Sequence, residues 1–102
     1  MRNITANAML NLKEQPETLY VHGSIMTYSA NDRIEISIAN PQGINSSILL
    51  LDLKVVTELG PMKGMPKPFN FELKDATVKN YSQVQIRYSE EASITVNVEV
   101  FG

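Results

Sequence analysis

A chain of 102 residues with 43% hydrophobic and 20% charged side chains has the size of one domain, enough apolar content to bury a core and too much to stay disordered. Its net charge of −2, with acids and bases mixed along the chain, provides no basic stripe, so neither nucleic acid nor membrane insertion is expected. The absence of cysteine removes disulfides, thiolate nucleophiles and thiolate metal ligands.

The first residues, Met1 to Asn7, lack the apolar stretch of a signal peptide. The expectation is a cytoplasmic protein, or a periplasmic or extracellular one whose leader was trimmed behind a new start methionine. Hydrophobic side chains then recur at every second position, the period of a strand. Ile4, Ala6, Ala8, Leu10 and Leu12 form the first such run. Pro16 breaks it in a loop, and Thr18 to Tyr28 resumes it with Leu19, Val21, Gly23 and Ile25 on one face and Tyr20, His22, Ser24 and Met26 on the other. Gly23 inside a strand predicts a bulge or a close backbone approach.

Ser29 to Asp32 is turn-like, and Arg33 to Ala39 alternates again with Ile34, Ile36 and Ile38 inward. Asn40-Pro41-Gln42-Gly43 marks the next turn. Ser47 to Glu58 is the longest apolar run, with Leu49, Leu51, Leu53 and Val55 on one face and Ile48, Leu50 and Val56 beside Asp52 and Lys54 on the other. Its leucines favour a helix, whereas its neighbours and its β-branched end favour a strand covered in part on both faces. Gly60 to Pro68 carries too many prolines and glycines for a helix or a central strand and reads as a long exposed loop.

Phe69, Phe71 and Leu73 then alternate, Asp75 to Asn80 connects, and Tyr81 to Tyr88 and Ala92 to Phe101 supply two more strands. Ile94, Val96, Val98 and Val100 face the core in the last of them. The fold predicted over residues 1–102 is all-β: a single antiparallel β-sandwich or cracked barrel of about seven strands. With no Cys…Trp…Cys spacing, an antibody-type domain is not supported.

Reactive chemistry is scarce. The single imidazole, His22, lies mid-strand without a partner motif and reads as a solvent-side residue rather than a base or metal ligand. Glu90 and Glu91 are adjacent, so on a strand they diverge to opposite faces and do not form a two-carboxylate site. Met62 and Met65 have the softness to ligate Cu(I), but no His or Cys stands near them, and packing or partner contact explains them better. No catalytic residue, cofactor or metal is expected, and the chain is read as a non-enzyme. The residues singled out for partner binding are Met62, Lys63, Met65 and Lys67 of the loop, and Tyr20, Met26 and Tyr28 of the second strand.

The leading expectation is therefore a non-enzymatic binding or assembly module that engages a protein through a sheet edge and the 60–68 loop. A self-associating structural subunit, held by the apolar face of Ile48, Leu50 and Val56 with Tyr20, Met26 and Tyr28, is the second reading. A carrier with a small apolar ligand inside the barrel is the third.

From Leu19 onward the order of segments resembles the YbaY-like lipoprotein family and the related secretion pilotins. The matching pieces are Val21-His22-Gly23-Ser24-Ile25, the strand Arg33 to Ile38, Lys67-Pro68-Phe69-Asn70-Phe71-Glu72-Leu73, and Val84-Gln85-Ile86-Arg87. The resemblance spans about two-thirds of the chain. The lipidated cysteine of that family is missing and an extra strand, Ile4 to Leu12, precedes the match. The resemblance implies a small non-catalytic barrel that binds a protein segment in the cell envelope.

Overall fold

All the period-two segments become strands. The computed structural model describes residues 3–57 and 59–101 and resolves β1 (Ile4–Asn11), β2 (Thr18–Thr27), β3 (Arg33–Ile38), β4 (Ile48–Val56), β5 (Met65–Lys74), β6 (Gln83–Arg87) and β7 (Ser93–Phe101). Met1 and Arg2, of the opening stretch read as lacking a signal peptide's apolar segment, and Glu58 at the expected end of the fourth strand lie outside the described residues.

The strands form one mixed sheet in the order β3-β4-β6-β7-β1-β2-β5. β7 belongs to both halves of it: Ser93 to Asn97 pair with β6, and Val98 to Phe101 pair with β1. The sheet folds over at β7 and brings its outermost strands, β3 and β5, close together without pairing them. The result is a nearly closed, barrel-like sandwich.

The antiparallel expectation needs a correction, because β1 lies parallel to β7 and β4 parallel to β6. Parallel neighbours need a long return path. Helices are the usual route, but here whole strands make it: β5 intervenes between β4 and β6, and β2 to β6 between β1 and β7.

Register explains the core. Ala8 stands opposite Val21, Leu10 opposite Leu19, and Ile4 opposite Ile25. Leu49 faces Val84 and Leu51 faces Ile86 on the other half. These side chains, with Leu53 and Phe69, meet between the two halves and are almost completely buried, except Ile4, which is partly buried at the margin. The segment after β5, expected as a plain connection, is a 3-10 helix, Ala76–Asn80, whose N-cap Asp75 accepts from Thr77 N–H at 2.9 Å. It drives Val78 to 0% exposure in the core cluster. A buried side chain of that kind contributes about 2 kcal/mol, so the helix is a plug as well as a link.

Two further expectations are revised. The loop read as Gly60 to Pro68 ends earlier, because Met65 to Pro68 already belong to β5. Their prolines are compatible with a strand because β5 is an edge that, among the described residues, pairs only with β2. Val100 keeps the parity of the core but is 59% exposed, since that end of β7 has β1 beside it and no longer β6.

Gly23 resolves as a close approach. The β1–β2 register runs through it without a bulge, opposite Ala6. A Cβ placed on it would stand 1.9 Å from the Thr5 carbonyl oxygen. Gly64, by contrast, has only the Thr27 carbonyl oxygen nearby, at 3.7 Å. Gly23→Ala is expected to lower unfolding stability by about 2–3 kcal/mol, and Gly64→Ala to leave it within about 0.5 kcal/mol, as read from urea denaturation midpoints.

Candidate functional site

The residues singled out from the sequence divide between two ends of the sheet. Tyr20 and Met26 share the outer face of β2, but they are separated by about 20 Å at the rise of a strand. Met26, Tyr28, Met62, Lys63, Met65 and Lys67 gather where β2 ends and β5 begins. Tyr20 sits at the opposite end, beside Met9, Asn11 and Phe101, around a shallow apolar depression of about 340 Å³. Met9 stands opposite Tyr20 in the β1–β2 pair, whereas the sequence pattern had no means of joining Phe101 to them, because the parallel β1–β7 pair does so.

At the first end, the loop before β5 is tied to the turn before β3. Asn31 Nδ2 donates to the Leu59 carbonyl at 2.7 Å, and Ala30 N–H donates to the Pro61 carbonyl at 3.1 Å. That anchoring displays Met62, 84% exposed, with exposed Lys63 beside it. Asp32 is buried, and its Oδ2 accepts from the N–H groups of Tyr28 and Ser29 at 3.2 Å each, which shapes the turn. Lys67 is committed differently from the expectation of a loop cation. Its parity on β5 is that of Phe69, so the side chain enters between the sheets, and Nζ donates to the carbonyls of Ala30 and Asp32. Its ammonium fastens β5 to the start of β3 and is not presented to a partner.

The hydrogen-bond alternation of the two edge strands defines what lies between them. Ala39 N–H donates to the Leu50 carbonyl at 3.0 Å, continuing the β3–β4 register. Odd residues of β3 therefore bond to β4, and Ile34, Ile36 and Ile38 turn their N–H and C=O groups to the opposite side. Asp75 N–H donates to the Glu17 carbonyl at 3.3 Å, continuing the β2–β5 register. Odd residues of β5 therefore bond to β2, and Pro66, Pro68, Asn70, Glu72 and Lys74 face away from it. The seam between β3 and β5 thus has free donors and acceptors along β3, and two positions on β5 with no N–H at all.

Side chains repeat the pattern. Ile34 and Ile36 of β3, and Phe71 and Leu73 of β5, border the core but are only partly buried. Ile38, expected inward, has that orientation and is 44% exposed, because no strand lies on its outer side among the described residues.

The apolar face proposed for self-association is covered in part, at Leu50. Gln42 folds back on β4: its Nε2 donates to the carbonyls of Ala39 at 2.7 Å and Leu50 at 2.8 Å, and its Oε1 accepts from Leu50 N–H at 2.9 Å. Leu50 is buried beneath that turn, while Ile48 and Val56 are half-buried. The rest of that outer face is polar, with Gln83 bonded to Asn97, Gln85 to Ser93, and Arg87 held by Asp52 through two bonds of 2.7 and 3.0 Å. The Asp52–Arg87 pair borders a cleft of about 430 Å³ with Ser89 and Glu90, but both side chains are nearly half exposed and engaged with each other. His22 lies on the outer face, across from Asn7 and Asn70. Among the described residues no group of three or more His, Cys, Asp and Glu is placed to hold a metal ion. The space a ligand carrier needs between the sheets is filled by Leu19, Ile25, Leu49, Leu51 and Ile86.

Compared with known proteins, the chain matches no family model, no curated protein and no solved structure.

Tyr20 is tied to the loop before β2 through Glu14. Its hydroxyl donates to Glu14 Oε1, which holds the Glu14 carboxyl below its ordinary 4.5 and pushes the phenol up to about 12. Because the carboxylate is favoured in the folded chain, its contribution to stability is complete above the ordinary Glu value and is lost as pH falls through the depressed one. Tyr20→Phe is expected to return Glu14 toward its ordinary titration range, measured by NMR of the side-chain carboxyl. The stability difference between the two proteins should exist at neutral pH and shrink on acidification.

Proposed function

We propose that this chain is a non-enzymatic binding module that takes an extended segment of a protein partner along the open edge of β3. The observation that carries the reading is the row of N–H and C=O groups on Ile34, Ile36 and Ile38, which face a seam where no strand pairs with them among the described residues. An extended peptide adds to such an edge through main-chain hydrogen bonds, and pockets for alternate side chains select its sequence. Half-exposed Ile38 and the partly buried Ile34, Ile36, Phe71 and Leu73 favour apolar residues at alternate positions of the incoming strand. The resemblance of its sequence segments to those of secretion pilotins, which implies capture of a protein segment, is in keeping with this reading. Met62, Lys63 and Tyr28, exposed at the mouth of the seam, are the proposed outer contacts.

The test is titration of isotope-labelled protein with a blocked synthetic peptide of alternating valine and threonine. Binding is expected to shift the amide signals of Ile34, Ile36 and Ile38 and to protect them from exchange. Ile36→Pro removes an N–H that faces the seam and leaves the β4 ladder intact, so it should weaken the peptide by about tenfold or more, whereas Ile36→Val should leave binding within about threefold. A peptide that binds elsewhere, or equally well to Ile36→Pro, rules the edge out.

A further inference from the structure

The open seam has a specific physical origin. Tracing strand directions across the sheet, from β3 antiparallel to β4 through to β2 antiparallel to β5, leaves β3 and β5 running the same way. They are near each other, and Lys67 fastens their starts together through the Ala30 and Asp32 carbonyls. A parallel ladder between them would join Ile34, Ile36 and Ile38 to the even-numbered residues of β5. The first two of those residues next to the Lys67 fastening are Pro66 and Pro68. Neither has an N–H, so carbonyls on β3 that moved inward would lose water and gain no donor, which costs more than leaving them solvated.

We infer that Pro66 and Pro68 hold the seam open: they deny β5 the donors with which it would zip onto β3 and close the barrel, and so keep the β3 edge available. The claim rests on the reading of β3 as the binding edge, but its first consequence concerns the free protein alone. Asn70, Glu72 and Lys74 do carry seam-facing N–H groups, yet they lie farther along β5, where closure would have to begin without the Lys67 fastening. Pro66 and Pro68 therefore act at the place where pairing would nucleate.

Pro66→Val with Pro68→Val restores both donors and keeps strand-forming side chains. Amide exchange in the ligand-free double variant is expected to slow by about tenfold or more at Ile34, Ile36 and Ile38 relative to the parent chain, with other strands unchanged. Affinity for the valine–threonine peptide should fall by about tenfold. Asn70→Val changes a side chain on the same edge without adding a donor and should leave exchange at these three amides as it was. Each single proline variant should show a smaller slowing of the same three amides, which keeps the measurement available if the double variant does not fold. Unchanged exchange at Ile34, Ile36 and Ile38 in the proline variants overturns the inference, even where the parent chain binds peptide. Slowed exchange in a protein that never binds the peptide upholds it and removes the binding function instead.

Discussion

Along a strand, the N–H and C=O of each residue point to one side, and the side alternates at every step. Two prolines spaced two residues apart therefore remove donors from the same side. In β5 that side is the one turned away from β2, and the β2–β5 ladder runs unbroken from Thr18 opposite Lys74 to Thr27 opposite Met65. Had the prolines stood at 67 and 69, the ladder would have lost donors and β5 would have detached. Their placement leaves β5 a full-length strand toward β2 and removes two donors from its other side, where Asn70, Glu72 and Lys74 keep theirs. β5 ends the sheet, a gap separates it from β3, and Phe71 and Leu73 stay only partly buried.

Lys67 completes this arrangement. It lies between the prolines, points inward, and its ammonium is satisfied by the carbonyls of Ala30 and Asp32. An inward-pointing charge and prolines on an edge strand are known devices against strand-to-strand aggregation. β3 lacks both, and its protection is of another kind: it has only six residues, and Arg33 and Glu35 alternate with its isoleucines. The contrast between a guarded edge and a short, chemically open one is what gives the seam a direction. Main-chain hydrogen-bonding groups are open along the β3 side, whereas on the β5 side Pro66 and Pro68 have no donor.

Much of the fold was legible because its information is local. Alternation located the seven strands, with the neighbouring segments and the β-branched end deciding the Ser47 to Glu58 run, and many residues assigned inward, such as Leu19, Val21, Ile25, Leu51 and Ile86, reach near-zero exposure. The failures have a common cause. Whether Leu50 is an exposed apolar residue or a covered one depends on Gln42 folding back from another segment. Whether Lys67 is a surface cation or a fastening depends on where Ala30 and Asp32 come to rest. Both are tertiary facts with no local signature. The segment Met65 to Pro68 is different, because its reading as loop followed from counting prolines without regard to parity. The i, i+2 spacing of Pro66 and Pro68, just ahead of the alternation of Phe69, Phe71 and Leu73, is compatible with an edge strand and was the available signal.

The two parallel pairs show why the site could not be read before the topology. β3 is an edge only because β4 takes β6 as its other neighbour, and β4 reaches β6 in parallel because β5 has already crossed to the opposite half of the sandwich. That crossing is also what sets β5 across the gap from β3, running the same way, instead of beside β4 as a meander would have it. The same excursion of the chain thus leaves the outer side of β3 without a paired strand among the described residues and sets the proline-bearing strand across from it. An edge created by topology and kept by composition is a more demanding arrangement than a strand merely left over at the end of a sheet. It is also harder to relieve by small adjustments, since closing the gap needs donors on β5 as well as proximity, and the proximity is already in place.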